Sequence, residues 1–285
     1  MRLREKLREK LQQELSVEEL ALLPRGFQTI GTNIIIRLNE EMLNKKTLIA
    51  NAYLELLPKI KGVYLNSGRI EGRFREPENI QFITGEDNPE VIHREHGVIY
   101  KFDITKVMYS KGNINERKYL AQLVKNQEVI VDMFAGIGYF SLPIAKNAHP
   151  TKIYSIELNP VSYHYLVENV KLNNLEDIIV PIQGNCKEKV VELYNSGVRA
   201  DRVIMGIFPA PKDYIPEALL LLKDSGTIYH YEGVALNKEV HLLFEDFAEI
   251  AERKNLSCLL IEQRVVKSYG PHLFHIVNDI FVKKK

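Results

Sequence analysis

Apolar positions change their period several times along the chain, and each change marks an element. Leu3, Leu7, Leu11 and Leu15 repeat every four residues through the charged opening segment 2–23, which stops before Pro24 and predicts an amphipathic helix. The segment 28–38 (QTIGTNIIIRL) reads as a strand, 41–56 as a helix and 62–65 as another strand. Val98, Tyr100 and Phe102 then alternate as a hairpin strand would. Beyond them the pattern becomes strand, helix, strand, helix, which implies a parallel sheet. Its strands are expected at 129–134, 152–156, 178–182, 201–208 and 226–231, with helices at 161–172, 214–222 and 239–253. Segments 257–266 and 274–282 read as a closing antiparallel pair. These shifts predict a helical segment over 1–25, a small α/β domain over 26–97 and a larger α/β domain over 98–285.

The candidate chemistry sits where the larger domain opens. Val129, Ile130, Val131, Met133 and Phe134 form a short β-branched and aromatic run, as in a buried central strand. The turn Ala135-Gly136-Ile137-Gly138 follows, and its glycines let the backbone approach a ligand closely. The next apolar run ends on Glu157, 25 positions after Asp132, where a carboxylate can accept from both hydroxyls of a ribose. Together these describe a nucleoside-binding crevice of the open α/β type. A dinucleotide fold asks for a third glycine or alanine in G-x-G-x-x-G, and here Ser141 stands in that place. Asp132, within D-x-F-A-G-x-G, looks instead like the first motif of S-adenosylmethionine enzymes. A carboxylate there suits a ligand with a sulfonium and an α-amino group. A glycine turn without any ligand is disfavoured, because turn, acid and order of elements agree.

Composition removes other classes. The chain has 285 residues, 45% hydrophobic and 26% charged, as in a globular protein with a good core. No apolar run is long enough for a membrane span, and the charged first residues lack the core of a secretory signal. Cys186 and Cys258 lie far apart without a C-x-x-C pattern, which argues against zinc and disulfides and fits a reducing cytoplasm. With 38 basic against 37 acidic residues, a polyanionic partner must be met by a local patch. Arg69, Arg73 and Arg75, set among glycines and extended residues, are candidates to grip phosphates, or else a polar hairpin arm. His93 and His96 have no third ligand at suitable spacing, so hydrogen-bonded or surface histidines are expected and no metal.

Three further stretches border the crevice. Residues 110–117 (SKGNINER) read as a loop entering a helix, with Asn115 as N-cap. Ser110 and Arg117 are placed to reach the ligand, Arg117 either on a methionine carboxylate or in an ion pair of its own. Asn185 and Cys186 end the third strand, where an adenine edge is met, and Cys186 reads as a small wall residue. The GIFPAP segment, 206–211, lines the substrate entrance, and His230, Tyr231 and Glu232 come at the end of the fifth strand.

With DMFAGIGYF, IELNP, VMYSKGNINERK and ADRVIMG in place, the sequence resembles the archaeal wyosine-pathway tRNA aminocarboxypropyltransferases, relatives of the tRNA guanine N1-methyltransferases. The resemblance implies a class I methyltransferase-like Rossmann sheet with a smaller N-terminal α/β domain. It implies S-adenosylmethionine as group donor, contacted by Ser110, Arg117, Glu157, Asn185 and Cys186 beside Asp132, Phe134, Gly136 and Gly138 of the first motif. It also implies tRNA(Phe) as partner. The 3-amino-3-carboxypropyl group would pass to C7 of 4-demethylwyosine, the modified guanine 3′ of the anticodon, with release of methylthioadenosine. The alternative is guanine N1-methylation. The sister group's pattern S-P-R-x-x-x-E-R places a catalytic arginine where this chain has Gly112, and its fourth-strand N-x-P meets Gly206 here. Both departures favour aminocarboxypropyl transfer, and no general base is identified.

Overall fold

The structure, a computed structural model, describes residues 3–68, 70, 71, 76, 77 and 79–285. Its contacts divide the chain into one unit of Met1–Arg94 with Tyr100–Tyr109, and another of Glu95–Ile99 with Ser110–Lys285.

In the first unit, helices α1 (Leu3–Leu11) and α2 (Val17–Leu22) precede strands β1 (Gln28–Ile30) and β2 (Asn33–Ile36), helix α3 (Lys46–Leu56) and strand β3 (Gly62–Asn66). A two-residue pair, β4 (Ile70–Glu71) with β5 (Glu76–Pro77), and strand β6 (Ile80–Gly85) follow. The sheet runs β1-β2-β3-β6. The leucine stripe does what its period predicts, since Leu7, Leu11 and Leu15 are buried with Ile34, Ile49 and Val63. Its single helix is broken, however, because Ser16 accepts from the Glu19 N–H and Glu19 reaches back to the Ser16 N–H, starting a new helix. Likewise the strand expected over 28–38 folds into a hairpin at Gly31, whose φ of +56° suits a residue without Cβ. A 3₁₀ turn, Glu40–Lys45, takes the first part of the helix expected from 41.

A hairpin of β7 (Glu90–Glu95) and β8 (Val98–Asp103) carries the chain onward, with Val98, Tyr100 and Phe102 buried as their alternation predicts. The second unit continues with α4 (Ile114–Leu123), β9 (Val129–Asp132), α5 (Ser141–Ala148), β10 (Lys152–Glu157), α6 (Pro160–Leu172), β11 (Ile179–Gln183) and α7 (Cys186–Asn195). It closes with β12 (Arg202–Met205), α8 (Ile215–Ala218), β13 (Thr227–Leu236), α9 (Val240–Glu252), β14 (Leu256–Gly270) and β15 (Leu273–Lys284). Helix α4 starts on Ile114 after a 3₁₀ turn, so Asn115 lies inside it rather than capping it.

The seven-stranded sheet runs β11-β10-β9-β12-β13-β15-β14, parallel from β11 to β13 and antiparallel beyond. The parallel strands therefore present their C-terminal ends along one edge, where such sheets bind ligands. Strand β12 stops at Met205, earlier than the sequence suggests, leaving Gly206 to Pro211 as a loop on that edge. Register aligns Asp132 with Ile204, Ile204 with His230, and His230 with Asp279, so all four share one face. The other face carries Tyr229 and Tyr231, packed on Phe247 of α9 with ring centroids 5.3 and 5.4 Å apart.

Candidate active site

The glycine turn holds its shape through backbone bonds to one carboxylate. Gly136 N–H donates to Glu157 Oε2 and Asn159 N–H to Glu157 Oε1, both at 2.7 Å. Gly136 and Gly138 adopt φ of +57° and +96°, and a Cβ on Gly138 would stand 2.7 Å from Leu142. The side chain of Glu157 is partly exposed at the strand tip, and its remaining lone pairs stay open to hydroxyl donors. Burial pushes its pKa up, against the backbone N–H bonds that lower it.

Ser141, which occupies the place of the third glycine, has a definite role. Its Oγ donates to Asp132 Oδ2 and accepts from Ser155 Oγ, each at 2.7 Å. Asp132 is 1% exposed and also accepts from the Phe134 N–H at 3.4 Å. Burial pushes its pKa up to about 7 despite those bonds, and Glu157 and Glu232 add repulsion. Asp132 thus stands behind the turn and fixes it, while adding negative charge to the crevice.

On the far side, Asn185 caps α7 by accepting from the Lys187 N–H at 3.2 Å. Cys186 is buried, and burial pushes its thiol up to about 12, which leaves it without nucleophilic thiolate. Phe134, partly exposed, meets Tyr214 edge to face at 5.1 Å. Phe134 and Tyr214 both pack against the apolar cluster that contains Cys186.

Near the loop before α4, Arg117 is 2% exposed and forks onto Glu95, Nε to Oε1 at 2.8 Å and Nη2 to Oε2 at 2.7 Å. Its Nη1 donates to the Ser110 carbonyl at 3.1 Å. The sequence leaves Arg117 either to the ligand or to a helix-surface ion pair; it forms an ion pair, but a buried one, with Glu95, which carries no sequence signal for it. Lys267 donates to Ser110 Oγ at 2.9 Å, and its chain crosses the space above Gly112, where a Cβ would lie 2.7 Å from Lys267 Cδ.

The sequence points to His230 and Glu232, which lie within β13 rather than at its end, but not to the polar group they join with Glu116, Arg264, His275 and Asp279 on the same sheet face. His230 Nδ1 lies 2.6 Å from Asp279 and its Nε2 3.1 Å from Glu116. Arg264 donates to Glu116 at 2.6 Å and to Asp279 at 2.7 Å. Burial alone would lower the His230 pKa, but Asp279 and Glu116 raise it to about 9. Burial would raise Glu116, and His230 and Arg264 instead bring it down to about 2. Next to them His275 Nε2 donates to Glu232 Oε2 at 2.9 Å. Arg69, Arg73 and Arg75 lie outside the described residues. Among the described residues no cluster of His, Cys, Asp or Glu could hold a metal ion, and no helix is long and apolar enough to cross a membrane.

Strand order, glycine turn and ribose-ready acid define a class I S-adenosylmethionine-dependent methyltransferase-like domain. Comparison with known proteins narrows the class. Residues 91–259 match the TRM5/TYW2 methyltransferase domain and residues 7–88 the TYW2 N-terminal domain, so the chain belongs to the TRM5/TYW2 family. It is 38% identical to the tRNA(Phe) (4-demethylwyosine(37)-C(7)) aminocarboxypropyltransferase of Methanocaldococcus jannaschii, over 89% of this chain and 96% of that protein. The enzyme of the same name from Pyrococcus horikoshii is 34% identical over 98% and 97%. The structure of P. horikoshii TYW2 in complex with MeSAdo superposes with a TM-score of 0.83 at 32% identity, covering 99% of this chain and all of that one.

Proposed function

We propose that the protein transfers the 3-amino-3-carboxypropyl group of S-adenosylmethionine to C7 of 4-demethylwyosine in tRNA(Phe), leaving methylthioadenosine. The observation that carries this reading is the end-to-end similarity to two archaeal enzymes of that name, N-terminal domain included. The residues on the crevice fit the donor. Glu157 would hold the ribose hydroxyls, the Gly136–Gly138 turn would admit the backbone close to the ligand, and Asn185, Cys186 and Phe134 would take the adenine. Asp132 supplies charge opposite the sulfonium. Ser110 meets the amino-acid arm, with Arg117 supporting it from behind while Glu95 holds its fork.

When bound, the donor supplies a sulfonium with three attached carbons open to displacement. The protein selects among them by which carbon it aligns with the nucleophile, at about 3–3.5 Å. The acceptor is assigned to the guanine-derived base 3′ of the anticodon, turned out of its stack. Arg69, Arg73 and Arg75 are assigned to phosphates of that loop. A cytoplasmic setting agrees with two cysteines that are both free thiols.

The test uses tRNA(Phe) carrying 4-demethylwyosine and donor labelled either in the propyl tail or in the methyl group. Tail label in the digested nucleoside is the expected result. Methyl label instead, on guanine-37 tRNA, establishes N1-methylation, and transfer of neither label overturns both readings.

A further inference from the structure

The carboxylates of the second unit differ in what they have left to give. Both oxygens of Asp132, Glu157, Glu116 and Asp279 are engaged by protein donors. Glu232 is 1% exposed and only its Oε2 is bonded, to His275; its Oε1 is buried without a hydrogen-bond partner, 3.8 Å from His230 Nε2. A buried oxygen left open in this way costs free energy, which calls for a ligand or a function. Its position supplies one. Glu232 follows Tyr231, which is in register with Met205, so Glu232 lies beside Gly206 at the C-terminal end of β12, where the parallel pairing stops while β13 runs on to Leu236. A Cβ on Gly206 would stand 3.3 Å from the Phe140 ring and 3.4 Å from Glu232 Oε1, so the partly exposed glycine keeps a narrow gap beside that oxygen which a side chain would fill. Two residues on, Phe208 of the same loop packs edge-on against the His275 ring at 4.7 Å. The open oxygen therefore sits under the loop where strand ends of this fold bring the acceptor.

We propose that Glu232 is the proton acceptor of the transfer and that His275 is its positioning residue, an inference that rests on the aminocarboxypropyl reading above. The base carbon C7 forms its bond to the propyl carbon as the carbon–sulfur bond breaks, and the electron pair stays on sulfur in methylthioadenosine. C7 then carries both the new substituent and its original hydrogen. Glu232 Oε1 takes that proton, the C–H electron pair returns to the ring, and the proton leaves to water in turnover. The His275 Nε2–H bond to Oε2 turns the free oxygen toward Gly206. No other oxidant, reductant or metal is needed for the balance.

The parent protein is first shown to place tail label in the nucleoside; if it does not, the functional reading fails and the inference with it. Glu232→Gln is then compared using substrate with hydrogen or deuterium at C7. The variant is expected to bind S-adenosylmethionine within about twofold of the parent by calorimetry. Its kcat should fall on the order of 10²–10³-fold, as for loss of a general base. A primary isotope effect, absent in the parent, should appear as proton removal becomes rate-limiting. His275→Asn should show a smaller fall and the same isotope effect. Parent-like kcat without an isotope effect in Glu232→Gln, or loss of donor binding in step with activity, overturns the assignment while leaving the function intact. Should Glu232→Gln fail to fold, Glu232→Asp, which keeps the charge and withdraws the oxygen, decides on the same isotope effect.

Discussion

Two polar regions share one face of the seven-stranded sheet, and they are built on opposite electrostatic terms. In the crevice at β9 and β10, Asp132 and Glu157 are bonded by hydroxyls and backbone N–H groups, none of them cationic, and burial pushes both pKa values up. In the cluster of α4, β13, β14 and β15, Arg264 and His230 already neutralise Glu116 and Asp279, whose pKa values are driven down. One region is an acidic site short of a positive charge; the other has supplied its own. The first is left suited to a cationic ligand such as the sulfonium of the proposed donor, while the second is neutralised from within and ties α4 to the sheet through Glu116.

That contrast is broken most directly by removing Arg264. Arg264→Met leaves Glu116 and Asp279 buried with less counter-charge, and stability should fall by about 3–5 kcal/mol, lowering Tm on the order of 10 °C. Donor affinity measured well below Tm should change little. Glu157→Ala should do the reverse, holding Tm within a few degrees and weakening donor binding about 100-fold or more, since two charge-assisted bonds are each ~1.5–3 kcal/mol. Thermal unfolding and calorimetric titration on both variants decide it, and equal loss of binding in both would erase the distinction.

Glu95→Gln tests the border between the two regions. The pair with Arg117 is buried on both sides, with side-chain exposures of 2% and 6%. Removing the charge while keeping an acceptor should cost about 1.5–3 kcal/mol in urea unfolding. If Arg117 serves the donor from behind Ser110, affinity falls several-fold as well; an unchanged affinity assigns the pair to folding alone.

Titration separates the regions by sign. His230 has a folded pKa of about 9 against about 6.5 when unfolded, so its contribution is complete below pH 6.5 and is lost as pH rises through 9. The limiting slope is about 1.4 kcal/mol per pH unit, and His230→Asn should flatten it. In the crevice, Asp132 gains charge as pH passes about 7, so affinity for a cationic donor should rise between pH 6 and 8, at most about tenfold per unit. A stability curve flat across 6.5–9 in the parent would remove the charged histidine from the account.

The same contrast explains what could be read from the sequence. The acidic part of the crevice lies between Asp132 and Asn159, and its parts are spaced by the strand–turn–helix–strand unit itself, so glycines, acid and order of elements announce the site. The other cluster joins Glu116 to Arg264 across 148 positions: the register of β13, β15 and β14 gathers His230, Asp279 and Arg264, and α4 brings Glu116 to them only in the folded chain. Arg117 shows the same limit, since its partner Glu95 lies 22 positions upstream on a hairpin whose alternation marks only its apolar face. Local signals failed at element ends and breaks: where capping chemistry interrupted a period, at Ser16, where one glycine folded a strand back, at Gly31, and where 3₁₀ turns or an early strand end moved a boundary, at Glu40–Lys45, Asn115 and Met205.

The smallest expected effect lies where the sister group's pattern departs, at Gly112. Its backbone is that of a 3₁₀ turn without positive φ, so alanine fits the main chain and the whole effect passes through Lys267. A methyl group 2.7 Å from Lys267 Cδ must displace that flexible chain, and the 2.9 Å bond to Ser110 Oγ goes with it. One part-buried hydrogen bond is a loss of about 0.5–1 kcal/mol, so KM for the donor should rise about two- to fivefold with kcat and Tm nearly constant. Should kcat fall by an order of magnitude instead, Lys267 is acting on the reacting groups, and the crevice has a positive charge of its own after all.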